Sequence, residues 1–118
     1  MTMTEGRISV QELLHDLIPK LKATERFVDE TLVMMIDQAS PGDERARRQH
    51  QRQEFQLNLT MIRMNLGHLL KRHAHLLDGA SDRGGVSSGT MLELDEHERV
   101  ALSSARELYT QTQAIQAR

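Results

Sequence analysis

The chain has 118 residues, of which 27% are charged and 3% aromatic, and its formal net charge is -2 at pH 7. A domain of this length buries only a modest core, and the near-balanced charge gives no overall reason to expect a polyanion partner. The sequence has no cysteine, which excludes disulfides and cysteine-ligated zinc. No apolar run approaches the roughly 18 residues of a membrane span, and the N-terminus lacks a signal-peptide pattern. We therefore expect a cytoplasmic protein without a membrane partner.

The first predicted helix spans about residues 9–39. Ser9 and Glu12 have the spacing of a capping box, and apolar residues follow at alternating steps of four and three, as in a helix that buries one face. Pro19 lies inside this pattern and removes one backbone hydrogen bond, at a cost of about 3 kcal/mol in a straight helix. We therefore expect this helix to be kinked or broken at Pro19.

The second predicted helix spans residues 41–78, because Ser40 followed by Pro41 is a favoured helix entry. It carries a main apolar row with a second row beside it, and a helix of this kind normally has partners on two or more sides. The main row is Phe55, Leu59, Ile62, Leu66, Leu69, His73 and Leu76, and the second is Leu57, Met61, Met64, His68 and His75. The short connection at residue 40 predicts an antiparallel hairpin with the first helix.

Residues 79–93 are rich in glycine and serine, which predicts a flexible loop. A third helix is expected at 95–116, where Asp95 and Glu98 have the spacing of a capping box. This helix is shorter than the other two and covers only part of their length. We therefore predict an all-α protein, with a long antiparallel helical hairpin and a shorter third helix in a single domain over residues 1–118, whose bundle is completed by dimerisation.

The apolar rows point to a protein that works by contact with another polypeptide. We expect a homodimer, with a protein partner bound through a helical face, in an adaptor, chaperone or regulatory subunit. The residues expected to make this contact are Leu21, Val28, Leu32, Met35, Leu59, Ile62, Leu66 and Leu69. No set of acid, base and nucleophile stands out, so we expect no enzyme activity and no cofactor. We expect no metal site either, because histidines four residues apart, which can share a metal on a helix, do not occur.

One segment suggests an alternative function in phosphotransfer signalling. The segment HLLKRHAHLLDG begins at His68 and resembles the phosphoacceptor segment of histidine phosphotransfer domains, in which a hydrophobic residue and a lysine follow the exposed histidine. Leu70 and Lys71 match these positions, whereas Arg72 stands where that family has glycine. The resemblance implies that His68 is a phosphoacceptor. The other interpretation of His68 is an ordinary histidine on the flank of a helix.

A second alternative rests on the basic run at residues 43–53. Arg45, Arg48 and Arg52 fall at steps of three and four on one helical face, where they could contact phosphates in a nucleic-acid-binding regulator. No aromatic residue lies among them for base stacking. A solvated helix face, or one paired with the acidic first helix, is the simpler interpretation of this run, so we do not expect nucleic acid as the main partner.

Overall fold

The computed structural model describes residues 6–77 and 90–117. Of these residues, 84% are helical, which confirms the all-α class. Within the described ranges, none of the helices combines the length and apolar character needed to cross a membrane. The predicted loop residues 79–89, and residue 78 at the end of the predicted second helix, lie outside the described part of the chain.

The first helix, α1, covers residues 10–38 and is not uniformly α-helical. Its α-helical parts are Val10–Glu12, Ile18–Arg26 and Leu32–Gln38, and π-helical turns occupy Leu13–Leu17 and Phe27–Thr31 between them. A π turn holds more residues than an α turn, so residues four apart, such as Leu13 and Leu17, stay close to one line and are both buried. The first π turn ends just before Pro19, and the helix continues through that proline without a break.

The second helix, α2, covers Asp43–Arg72 and begins two residues later than predicted. Gly42 is the residue before its first turn and has a φ of 101°, a conformation that favours glycine. Ser40 does not cap the helix, because Gly42 occupies the N-cap position and no side chain makes a capping hydrogen bond there. The Ser40 backbone amide donates to the Glu44 carboxylate at 3.4 Å. After Arg72 the backbone leaves the helix at His73, and one further helical turn occupies residues 74–77.

Two short strands were not predicted. Strand β1 is Arg7–Ser9 and strand β2 is Met91–Glu93, and they pair antiparallel with Ile8 opposite Leu92. The prediction of a loop over the whole of 79–93 is therefore wrong for its last three residues. Ile8 and Leu92 are both buried, so the pair closes one end of the core. A strand of three residues shows a single alternation, too little to be recognised as a pattern.

The third helix, α3, covers Glu96–Gln116 and starts with the predicted capping box. The Glu98 amide donates to Asp95 Oδ1 at 2.7 Å, and the Asp95 amide donates to Glu98 Oε1 at 2.8 Å. On its inner face α3 carries small residues, among them Ala101 and Ala105, both buried. Small residues let two helices approach closely, and α3 packs against both α1 and α2.

Arginines of α2 join it to α1. Arg45 donates to the carbonyl of Ala39 at 3.0 Å, and Arg52 donates to the carbonyl of Val28 at 3.0 Å. Further along α2, Arg63 forms an ion pair with Glu25. The buried apolar residues of all three helices and both strands form one core.

Candidate functional site

The C-terminal end of α2 meets the N-terminal end of α3 at a buried carboxylate, that of Glu98. Its side chain is 0% exposed. Arg72 donates two hydrogen bonds to the carboxylate, from Nε to Oε2 at 3.0 Å and from a terminal nitrogen to Oε1 at 2.7 Å. The Asp95 amide supplies a third hydrogen bond and His68 Nδ1 lies 2.8 Å from Oε2. Two oxygen atoms thus hold four nitrogen partners.

Glu98 and Arg72 each stabilise the ionised form of the other. Burial by itself raises the pKa of Glu98, but the hydrogen bonds from Arg72, the Asp95 amide and His68 outweigh burial and hold that pKa below its ordinary value. The hydrogen bond to Glu98 likewise raises the pKa of Arg72. Both groups are therefore ionised at neutral pH, and Glu98 has no proton to give as a general acid.

His68 is the most exposed side chain of this cluster. Its side chain is 55% exposed, although Nδ1 lies 2.8 Å from Glu98 Oε2 and 3.7 Å from Asp95 Oδ2. Because an ionised carboxylate only accepts hydrogen bonds, we assign the ring proton to Nδ1. The neutral ring then keeps a lone pair on Nε2, the nitrogen that can act as a base or a nucleophile. A buried carboxylate that orients an exposed histidine is a common arrangement in both catalytic and metal sites.

The same cluster has the ligand types of a metal site but not its electrostatics. One ligand atom each from His68, Asp95 and Glu98 lie within 4.8 Å of one another. However, Glu98 Oε2 already accepts from Arg72 Nε at 3.0 Å, so a bound cation would lie beside a guanidinium group and be repelled by it. The arrangement fits an ion-pair network better than a metal site.

Arg72 occupies the position where histidine phosphotransfer domains have glycine. Its guanidinium donates to Glu98 and, at 2.8 Å, to the carbonyl of Glu93. The side chain is thus held against α3 and β2. Of the other residues that carry the resemblance, Leu70 is half-buried and Lys71 is exposed. Sequence reasoning found Glu98 as a helix cap but missed its contact with His68, which no local pattern indicates.

The three arginines of the nucleic-acid alternative do not present a common face. Arg45 and Arg52 donate to backbone carbonyls of the α1 segment, as described above, and Arg52 also lies 4.0 Å from Asp29. Arg48 donates to Gln51 at 3.1 Å on its own helix. All three side chains therefore have partners within the chain, two of them in the α1 segment, and these contacts do not favour a phosphate-binding surface.

The residues of the predicted contact face lie inside the protein. Leu21, Val28, Leu32, Leu59, Ile62, Leu66 and Leu69 are buried in the core, and Met35 is half-buried against it. The prediction assumed that α3 was too small to cover the long helices. The alanines of α3 let it pack close to α1 and α2, so α3 covers the predicted contact face despite its shorter length. These residues therefore present no exposed apolar surface in the structure.

A different set of residues forms the exposed face of α2. Leu57 is 72% exposed and Met64 is 70% exposed, and both belong to the second row seen in the sequence. They lie in a line at steps of four and three that we call the outer row. The outer row consists of Gln53, Leu57, Thr60, Met64 and Gly67, all of them exposed.

Comparisons of this chain with protein families, with curated proteins and with solved structures found no match. The function proposed below therefore rests on the two features just described, the His68 cluster and the outer row.

Proposed function

We propose that this chain is a small, non-enzymatic cytoplasmic protein that binds another polypeptide through the outer row of α2. Its role is that of an adaptor, a chaperone or a regulatory subunit. The observation that carries this proposal is the pair of large apolar side chains, Leu57 and Met64, that stand 72% and 70% exposed and seven residues apart on one face of a helix. In this proposal α1 and α2 form an antiparallel hairpin, and its partner packs on the side of α2 that α3 leaves uncovered.

The spacing supports a helical seam rather than accidental exposure. Single exposed apolar residues are ordinary on protein surfaces, but residues seven apart return to the same face of a helix. Burying each such side chain against a partner contributes about 1.5–3 kcal/mol. Met61 lies half-buried beside the row and extends the apolar area toward the core, which suits a flexible contact surface.

We propose binding rather than catalysis because of the state of the ionised cluster. Glu98 and Arg72 are the described residues whose pKa values are displaced. Burial raises the pKa of Glu98, but its hydrogen bonds from Arg72, the Asp95 amide and His68 together lower that pKa by more, and the hydrogen bond to Glu98 raises the pKa of Arg72. A carboxylate that is fully hydrogen-bonded and ion-paired stabilises the junction of two helices. It does not shuttle protons at neutral pH.

Site-specific photo-cross-linking in the native cell tests the proposal. A photoreactive residue at Thr60, between Leu57 and Met64, should cross-link to a defined polypeptide, identified by mass and by peptide sequencing. The control places the same group at Ser103, an exposed position on α3. The product should disappear when Leu57 and Met64 are both replaced by Asp, with helicity unchanged by circular dichroism. If Thr60 gives no product beyond the Ser103 control, the proposal fails.

A second candidate function is phosphotransfer through His68, favoured by the contact between Nδ1 and buried Glu98. In this candidate Nε2 attacks a phosphoryl group, the bond from phosphorus to the donor breaks, and the donor leaves with a proton. With phosphoramidate as donor the leaving group is ammonia. The expected result is an acid-labile phosphohistidine on His68 that is lost in His68→Gln and retained in His50→Gln. Equal labelling of both histidines would contradict a specific role, since His50 is also exposed.

A further inference from the structure

The outer row has a regular order of side-chain sizes. After Gln53 the row reads large, small, large, small along α2, with Leu57, Thr60, Met64 and Gly67 in turn. Gly67 is exposed in the interior of a 30-residue helix, where glycine is disfavoured relative to alanine. A Cβ atom built at Gly67 meets nothing within 4 Å. No contact within the described part of the chain therefore accounts for a glycine at this position.

We infer that the outer row of α2 binds the outer row of a second copy of this chain, in an antiparallel two-fold dimer in which Leu57 packs over Gly67 of the partner subunit. This inference rests on the proposed function, since it names the polypeptide that the row binds. In a two-fold interface each contact occurs twice, so Gly67 also receives Leu57 of the partner subunit. By the same symmetry Met64 packs over Thr60 of the partner subunit.

The size order decides the direction of the two helices. In an antiparallel arrangement Leu57 meets Gly67 of the partner subunit and Met64 meets Thr60 of the partner subunit, so a large side chain faces a small one at four successive positions. In a parallel arrangement each residue meets its own copy, so Leu57 would meet leucine and Gly67 would meet glycine. This would hold the helices apart at one place and leave a gap at the next, against the close packing that helix interfaces need. A surface through which a chain binds its own copy is expected to be complementary to itself, and the outer row is complementary to a copy that runs in the opposite direction.

The charges on this face are compatible with a second copy. Arg63 flanks the row, and it is neutralised by its ion pair with Glu25 at 2.7 Å, so two copies bring no unpaired like charges together there. At the end of the row, the antiparallel register places Lys71 over Gln53 of the partner subunit, next to the acidic residue at position 54. Lys71 then faces a neutral amide and meets no like charge.

Sedimentation equilibrium measures the dimer directly. The parent chain should dimerise, and Gly67→Leu should weaken the dimer at least tenfold because the new side chain fills the space that receives Leu57 of the partner subunit. A Cβ atom at this position meets nothing within 4 Å in the described part of the chain, and leucine favours a helix interior more than glycine does. The monomer should therefore keep its helicity, and its unfolding temperature should not fall. The matched control is Ser103→Leu, which adds the same side chain to an exposed position on α3 and should leave the dimer intact.

Disulfide trapping tests the direction, and the natural chain contains no cysteine to interfere. A mixture of the Leu57→Cys and Gly67→Cys variants should form mixed disulfides in preference to either homodisulfide. In the antiparallel register the two Leu57 positions are about ten residues apart along the helix axis, roughly 15 Å, and beyond disulfide reach. Homodisulfides in preference to mixed ones would overturn the antiparallel arrangement.

The outcomes separate this inference from the function on which it rests. If the chain is monomeric at every soluble concentration but Thr60 cross-links to another polypeptide, the dimer is wrong and the binding function stands. If neither occurs, both are wrong. If the chain dimerises but Gly67→Leu has no effect on its dissociation, the dimer uses another surface and the inference is overturned.

Discussion

Glu98 makes more contacts between helices than its position as a helix cap in the sequence suggests. The same carboxylate caps α3, neutralises Arg72 and orients His68, so it joins the start of one helix to the end of another. Burying a charged group is costly unless its hydrogen bonds are satisfied. Here four donors meet two oxygen atoms, which offsets that cost and holds the ring of His68 in one orientation.

Replacing Glu98 by Gln should destabilise the protein by about 1–3 kcal/mol at pH 7, because hydrogen bonds to a charged group are lost and Arg72 loses its counter-ion. The pKa of Glu98 is lowered in the folded state, so the contribution of its ionised form to the free energy of unfolding is fully present above the ordinary carboxylate pKa of about 4.3. It is lost as the pH falls through the lowered value. Urea unfolding between pH 7 and pH 3 should therefore give a steeper loss of stability in the parent than in Glu98→Gln.

The control for this measurement is Glu96→Gln, which removes a carboxylate from the same first turn of α3. The Glu96 side chain is 81% exposed and lies 4.0 Å from Arg99, so the replacement removes only a weak surface ion pair and the interaction with the helix dipole, about 0.3–1 kcal/mol. Its pH dependence should follow that of the parent closely. Identical pH dependence in the parent and in Glu98→Gln would show that the cluster does not contribute as an ionised pair.

The helix starts show where local patterns succeed and where they stop. Asp95 and Glu98 form the predicted capping box because both partners lie within four residues. At Ser9 half of the expected box forms, with the Glu12 amide donating to the Ser9 hydroxyl at 3.0 Å. The Glu12 carboxylate instead forms an ion pair with Arg106 of α3. A distant partner thus outcompeted the local one, and sequence spacing contains no information about it.

The entry to α2 and the two strands were missed for related reasons. Ser40 and Pro41 match a helix entry by residue type, but Gly42 can adopt a positive φ and turns the chain after them. Strand β1 pairs with a segment near the other end of the chain. The candidate site divides in the same way, since His68 and Arg72 lie on one predictable helix, whereas their contact with Glu98 depends on how α3 docks.

The docking of α3 decides which apolar row of α2 is buried in the core and which stays exposed to a partner. Periodicity found both rows on α2, and the main row has the higher apolar content, but residue spacing could not show which row α3 would cover. The docking of α3 ranks them. Its small residues bring it close enough to bury the main row, which leaves Leu57 and Met64 outside. The main row is therefore the core, and the outer row is the surface proposed for assembly.

A pair of alanine variants separates these two roles. Ile62 is fully buried, so Ile62→Ala should destabilise the monomer by about 2–5 kcal/mol through lost contacts and the cavity left behind. Met64 lies two positions along the same helix but faces outward, and Met64→Ala should change monomer stability by no more than about 0.5 kcal/mol. Urea unfolding at protein concentrations below the dissociation constant of the dimer gives both values.

The effects on self-association should have the opposite order. Met64→Ala should weaken the dimer, whereas Ile62→Ala should leave the dissociation constant close to that of the parent under conditions in which the variant is folded. A large loss of monomer stability in Met64→Ala would mean that the outer row belongs to the core of the monomer.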